Sequence, residues 1–206
     1  ILRSVQYYEK FLSDKVDIQL NHEPTMDELN GFDHVILAIG AHNMDLPMSV
    51  ENSNVVSSWD ILNGQEVSGK CVVLGGGLVG AETAEYLANK GLEVSIVEMM
   101  DKIAAQESDT VLPLMEADFE KHNVQKFVNT RVSEIKDNVI YAVNTKDETN
   151  VEIAADTIVN ALGSKKNVFD DSKLSVPFTY VGDCSGERTA DIASAIRTGY
   201  KAANEI

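Results

Sequence analysis

The stretch that decides the fold is Lys70-Cys71-Val72-Val73-Leu74-Gly75-Gly76-Gly77-Leu78-Val79-Gly80-Ala81-Glu82, answered by Glu98 eighteen residues after Gly80. An apolar run stops at three glycines. A helical pattern follows over residues 79–90, Gly91 stops it, and a second apolar run, 93–97, leads to the acid. This is the layout of a dinucleotide-binding βαβ unit, in which each residue type has its own job. Gly75 lets the chain turn sharply out of the strand, in backbone angles that a Cβ makes costly. Gly77 brings bare backbone up to a diphosphate, beside Gly76, and Gly80 lets the helix sit close against the strands. The diphosphate faces the unpaired amides at the start of the helix, near Leu78 and Val79. Glu98 is placed to accept hydrogen bonds from ribose hydroxyls, and its charge repels a 2′-phosphate. The expected ligand is therefore NAD(H) in preference to NADP(H).

Working outward, residues 3–13 carry Val5, Tyr8, Phe11 and Leu12 at helical spacing, and a short strand is expected over 16–20. Residues 32–41 read as one apolar strand ending at Gly40 and Ala41, and Pro47 with the polar stretch 49–54 reads as a linker. Beyond Glu98 a helix is expected near 109–122, with Val111, Leu112, Met115, Phe119 and His122 on one face, then a strand over 124–128. Residues 130–153 alternate between two turn signals, which predicts a three-stranded antiparallel meander. Residues 156–163 repeat the style of 33–40 and end at Gly163. Gly182-Asp183 follows a further apolar run, and a closing helix is expected over 190–206, packing through Ile192, Ala195, Ile196, Gly199 and Ala203. Strands alternating with helices give an α/β class with a parallel sheet.

The bulk composition narrows the function. With 206 residues, 44% of them hydrophobic and 24% charged, the chain suits a globular protein with a substantial core. A net charge of −16 disfavours nucleic acid and anionic membrane surfaces as partners. No apolar run approaches the ~20 residues that span a bilayer, and no secretory leader is read at the start. The two cysteines, Cys71 and Cys184, form no CxxC, which argues against a redox dithiol and suits a reducing, cytoplasmic setting. Four scattered histidines give no support to a metal cluster. The chain opens on Ile1 in what reads as mid-helix, so a piece of a longer protein is expected.

Four landmarks carry a family resemblance: 35–41, 75–82 with Glu98, 158–163, and 180–183 followed by 192–199. They resemble the flavoproteins with two dinucleotide-binding domains. The wording Gly-Gly-Gly-Leu-Val-Gly-Ala-Glu-Thr-Ala-Glu-Tyr-Leu, then Val-Glu-Met-Met-Asp, is most similar to one branch. That branch is the C-terminal region of multidomain NADH:flavin oxidoreductases, such as 2,4-dienoyl-CoA reductases, 2-enoate reductases and trimethylamine-dehydrogenase-like proteins. The resemblance implies a Rossmann-like FAD/NAD(P)-binding fold. An NAD(H) domain over 46–164 would be inserted into a partial FAD domain made of 1–45 and 165–206. The glycine-rich βαβ that holds the FAD pyrophosphate in relatives has no counterpart here, nor does the N-terminal barrel with its FMN and iron–sulfur cluster.

The resemblance also assigns residues. Gly75, Gly77, Gly80 and Glu98 match the pyridine-nucleotide fingerprint, and Glu82 matches an acid near the nicotinamide end. Gly182 and Asp183 match the Gly-Asp that contacts FAD, and Ile192 and Ala193 begin the helix that points at the flavin pyrimidine. Gly40, Ala41 and Gly163 match the strand ends where the chain crosses between domains. Plainer readings stand beside these. Glu82 also fits an exposed first-turn helix acid, Asp183 a turn residue, Lys102 a solvated lysine, and Glu107 and Asp109 helix N-terminal charges. Trp59, Tyr7, Tyr8 and Tyr86 read as packing residues.

Three functions compete at this level. The resemblance favours an NADH-binding electron-entry module that passes hydride to FAD, with the organic substrate reduced in the barrel. A structural or regulatory nucleotide-binding module is the alternative. A free-standing dehydrogenase would need a catalytic His, Tyr-Lys or Ser arrangement, and none is found, so no catalytic residue is named.

Overall fold

The computed structural model describes residues 2–186 and 192–206. Helix α1 (Leu2–Leu12) and the four-residue α2 (Met26–Leu29) precede strands β1 (Val35–Leu37), β2 (Ala41–Asn43), β3 (Ser49–Glu51) and β4 (Val55–Ser57). Then come α3 (Ser58–Leu62), β5 (Lys70–Leu74), α4 (Leu78–Asn89), β6 (Glu93–Val97), α5 (Leu112–Lys121) and β7 (Gln125–Phe127). The meander is β8 (Thr130–Lys136), β9 (Val139–Asn144) and β10 (Asn150–Ala154), followed by β11 (Thr157–Asn160), β12 (Ser164–Lys166), β13 (Phe178–Tyr180) and α6 (Ile192–Asn204).

The central sheet is parallel throughout, in the order β4-β11-β5-β6-β7. A parallel sheet is stable when both faces are covered, and the alternation along its strands supplies both cores. Cys71, Val73, Val94, Ile96 and Val159 meet Ala81, Ala84 and Leu87 of α4 and Met115 and Phe119 of α5. Val72, Leu74, Val97 and Ile158 point the other way, onto Ile135, Ile140 and Ile153 of the meander. The result is a helix layer, a parallel sheet and the sheet built on the meander. The outer two-stranded pieces join distant parts of the chain: β1 with β13 in parallel, and β2 with β12 antiparallel.

Several sequence expectations are corrected. Residues 16–20 form no strand; Val16, Ile18 and Leu20 are exposed, and no described strand lies beside them to take their backbone hydrogen bonds. The single strand expected over 32–41 divides, because Gly40 takes φ +68 and sends the chain into β2. The stretch 49–54 is more than a linker: β3 pairs in parallel with β8 and adds a fourth strand to the meander. Its three residues are too few to show alternation, and its pairing is reinforced by a Lys136–Glu51 ion pair at 3.0 Å. In α6 the expected apolar packing face is turned outward, with Ile192 68% and Ile196 62% exposed, while Ala202 is buried. The start of that helix as expected, Ala190 and Asp191, lies outside the described residues.

Candidate dinucleotide site

The glycine loop leaves β5 at the carboxyl edge of the parallel sheet, where open α/β sheets bind ligands. Gly75 has φ +99, and a Cβ there would meet the carbonyl oxygen of Ala161 at 2.6 Å. The loop is fixed from three directions. The Gly75 amide donates to the Val97 carbonyl at 2.9 Å, the Ala104 amide donates to the Gly76 carbonyl at 2.7 Å, and the Gly76 amide donates to Glu98 Oε2 at 2.6 Å. A Cβ on Gly76 would stand 3.0 Å from both Glu98 Cβ and Ile103 Cγ1, so any side chain here would press on the Glu98 side of the site. At Gly77 the space is open, with nothing within 4 Å of a Cβ. Gly80 is the opposite: a Cβ would collide with the Gly75 carbonyl oxygen, with Ala161 Cβ 3.2 Å away.

Helix α4 begins after Gly77 without a side-chain cap. Its first-turn amides lack intrahelical partners and carry the positive end of the helix dipole, which favours an anion. Glu98, at the end of β6, also accepts from the Met100 amide through Oε1 at 2.7 Å. Both carboxylate oxygens are thus anchored by backbone while keeping further lone pairs for hydroxyl donors.

A cavity of about 1990 Å³ opens on this edge. Of the residues expected from sequence, Gly75, Gly76, Gly77, Leu78, Val79, Glu98 and Gly163 line it, and so do Asp183, Ile192 and Ala193. Five others do not. Gly80 is spent on helix packing, and Gly40 and Ala41 lie at the β2–β12 ribbon. The Gly182 amide is engaged by Thr198 Oγ1 at 2.8 Å. Glu82 is exposed, and as the fifth residue of α4 it lies past the first turn, so the first-turn reading is corrected. Sequence reasoning missed the wall residues Met44, Met48, Trp59, Met100 and Arg131. A signal existed for Trp59: Ser57-Ser58-Trp59-Asp60 spells a helix N-terminus, and Ser57 Oγ accepts from the Trp59 amide at 3.0 Å.

The sequence pattern of the pyridine nucleotide-disulphide oxidoreductases matches residues 5–185. The chain belongs to that family. Its members are oxidoreductases that bind FAD and pyridine nucleotide, and the Rossmann-like α/β fold described above is theirs. The chain is 46% identical to the bilirubin reductase of Mediterraneibacter gnavus over 179 residues, 84% of this chain and 28% of that protein. It is 31% identical to a cinnamate reductase of Clostridium sporogenes over 217 aligned positions, 98% of this chain and 31% of the relative. Among solved structures, a 2-naphthoyl-CoA reductase in complex with 2-naphthoyl-CoA matches the whole chain with TM-score 0.86 and 26% identity, over 32% of its own length. Histamine dehydrogenase from Rhizobium sp. 4-9 shares the fold, with TM-score 0.84 at 20% identity over 99% of this chain and 36% of its own. The chain therefore spans about a third of these relatives. No helix among the described residues is long and apolar enough to cross a membrane.

Proposed function

We propose that this chain is the NADH-binding electron-entry module of a flavin-dependent oxidoreductase. The observation that carries the reading is Glu98: its carboxylate is tied to the glycine loop through Gly76 and lines the same cavity as the uncapped start of α4. Gly77 leaves room for a diphosphate, the α4 amides neutralise it, and Glu98 takes the adenosine ribose hydroxyls and repels a 2′-phosphate. In this reading residues 46–164 form the NAD(H) domain, and 1–45 with 165–206 supply part of an FAD domain.

Asp183, Ile192 and Ala193 share the cavity wall and would hold FAD on its other side, Asp183 by accepting from hydroxyl donors. When bound, FAD supplies the hydride acceptor. This chain's residues bind and orient the nucleotides and keep NADPH out, and the chemistry belongs to the cofactors. The parent protein would reduce an organic acceptor elsewhere, in an N-terminal barrel carrying FMN and an iron–sulfur cluster. Bilirubin, cinnamate and 2-naphthoyl-CoA, the molecules named with three relatives, are all conjugated, and a conjugated acceptor is the substrate class proposed here.

The test uses this chain and its melting temperature. Ligand at a hundred times its dissociation constant stabilises by about 2.7 kcal/mol. NADH is expected to raise the melting temperature more than NADPH does, and Glu98→Arg to narrow or reverse the difference. Equal stabilisation by both would remove Glu98 from its role, and no stabilisation by either would overturn the nucleotide site. In the parent protein, flavin bleaching by NADH distinguishes electron entry from a structural or regulatory module.

A further inference from the structure

The parallel sheet gives the cavity a direction. Its order is β4-β11-β5-β6-β7, with all carboxyl ends on one edge. The glycine loop follows β5 and Glu98 follows β6, so an adenosine ribose on Glu98 lies to the β6 side of the diphosphate. The other half of a dinucleotide straddling the loop must run the opposite way, past β11 toward β4. Strands lie about 4.8 Å apart, which puts the end of β4 roughly 10 Å from the glycine loop, on the side away from Glu98.

That end continues directly into α3, whose second residue is Trp59. The side chain is half-buried and lines the cavity. Its backbone is held by the Ser57 cap, and the fully buried Ser58 and Ile61 on either side fix the helix against the core. Met44, Pro47 and Met48 add apolar surface to the same cavity. Met44 is itself fixed, its amide donating to the Gly163 carbonyl at 2.9 Å and its carbonyl accepting from Asn160 Nδ2 at 2.7 Å. Toward Glu98 the lining mixes charged Asp101, Lys102 and Arg131 with Met99 and Met100 and holds no aromatic side chain among the described residues. Among the described residues that line the cavity, Trp59 is the one aromatic side chain, and its helix starts where the strand order carries the second nucleoside.

Resting on the NADH reading above, we propose that Trp59 packs its indole against the nicotinamide ring and so positions that half of the dinucleotide. The oxidised ring is cationic, and an indole face is the strongest aromatic partner for a cation.

Trp59 is the chain's single tryptophan, so its emission reports on this contact alone. The probes are NAD+ and ADP-ribose, which share everything up to the second ribose and differ in the pyridinium ring. NAD+ does not absorb indole emission, so any quenching beyond that by ADP-ribose is contact quenching. NAD+ is expected to quench Trp59 and ADP-ribose to leave it bright. Trp59→Ala should weaken NAD+ about tenfold with little change for ADP-ribose, and Trp59→Phe should lose about two- to threefold. If both ligands bind but quench alike, or if the alanine variant weakens both equally, the Trp59 contact is overturned and the dinucleotide site stands. If neither ligand binds the wild-type chain, the NADH reading fails and this inference falls with it. Should Trp59→Ala not fold, wild-type quenching and the phenylalanine variant decide.

Discussion

Glu98 Oε2 accepts the Gly76 amide hydrogen at 2.6 Å, while the other oxygen of the same carboxylate accepts from Met100 at 2.7 Å. The residue assigned to recognise the ribose is thus also the strut that shapes the glycine loop. A group with two acceptors suits two backbone donors, and an amide does not. Glu98→Gln can satisfy only one of the two N–H groups and turns its own N–H2 toward the other. It should lower stability by about 1–2 kcal/mol in urea unfolding, and nucleotide affinity should fall with it. A glutamine variant as stable as wild type would show that the strut carries no energy.

The glycines separate fold from ligand. Gly80→Ala drives a methyl group into the Gly75 carbonyl oxygen and should cost about 3 kcal/mol or more. Gly77→Ala meets open space with φ −66, so its fold should lose less than about 1 kcal/mol. Its NADH affinity should nevertheless fall at least about tenfold, because the methyl group enters the place proposed for the diphosphate. Circular dichroism melts and calorimetric titration check the pair.

What the sequence made legible was the set of residues whose jobs are local. The turn at Gly75, the close packing at Gly80 and the acid at the end of β6 stand where the spacing puts them, as do the three strands of the meander. Features that depend on a distant partner were not legible. Strands β3 and β4 have three residues each and exist because β8 and β11 offer them an edge. In the sequence Trp59 reads as packing, because its place at the cavity follows only from β4 being the end strand of the parallel sheet. The apolar spacing misplaces the buried side of α6 for a related reason: the link of this helix to the preceding turn is polar and leaves no mark in that spacing.

That link yields a prediction. Thr198 Oγ1 accepts from the half-buried Gly182 amide at 2.8 Å and donates to the Ser194 carbonyl at 3.0 Å. Thr198→Val keeps the shape but strands the Gly182 amide, and should cost about 1–2 kcal/mol. Ile196→Ser, on the outward face, should change stability by no more than about 0.5 kcal/mol. A helix packed through its apolar face would give the reverse order.

Cys71 sits in β5 with no exposed surface. Burial, reinforced by the negative charge of Asp156, pushes its thiol up to about 11 from an ordinary 9.0. The folded chain therefore holds this proton more tightly than the unfolded chain. Its contribution to stability is fully present below about pH 9 and is lost as the pH climbs toward about 11, because the unfolded thiol ionises first. Urea midpoints measured at about pH 8 and about pH 10 should fall accordingly. Cys71→Ala should lower the midpoint at both pH values, since it leaves a small void, yet flatten the decline between them. A thiol reagent at about pH 8 should leave the folded chain unmodified and label both buried cysteines once urea exposes them. Rapid labelling of Cys71 in the folded chain would mean that β5 opens locally, and the glycine loop it carries would open with it.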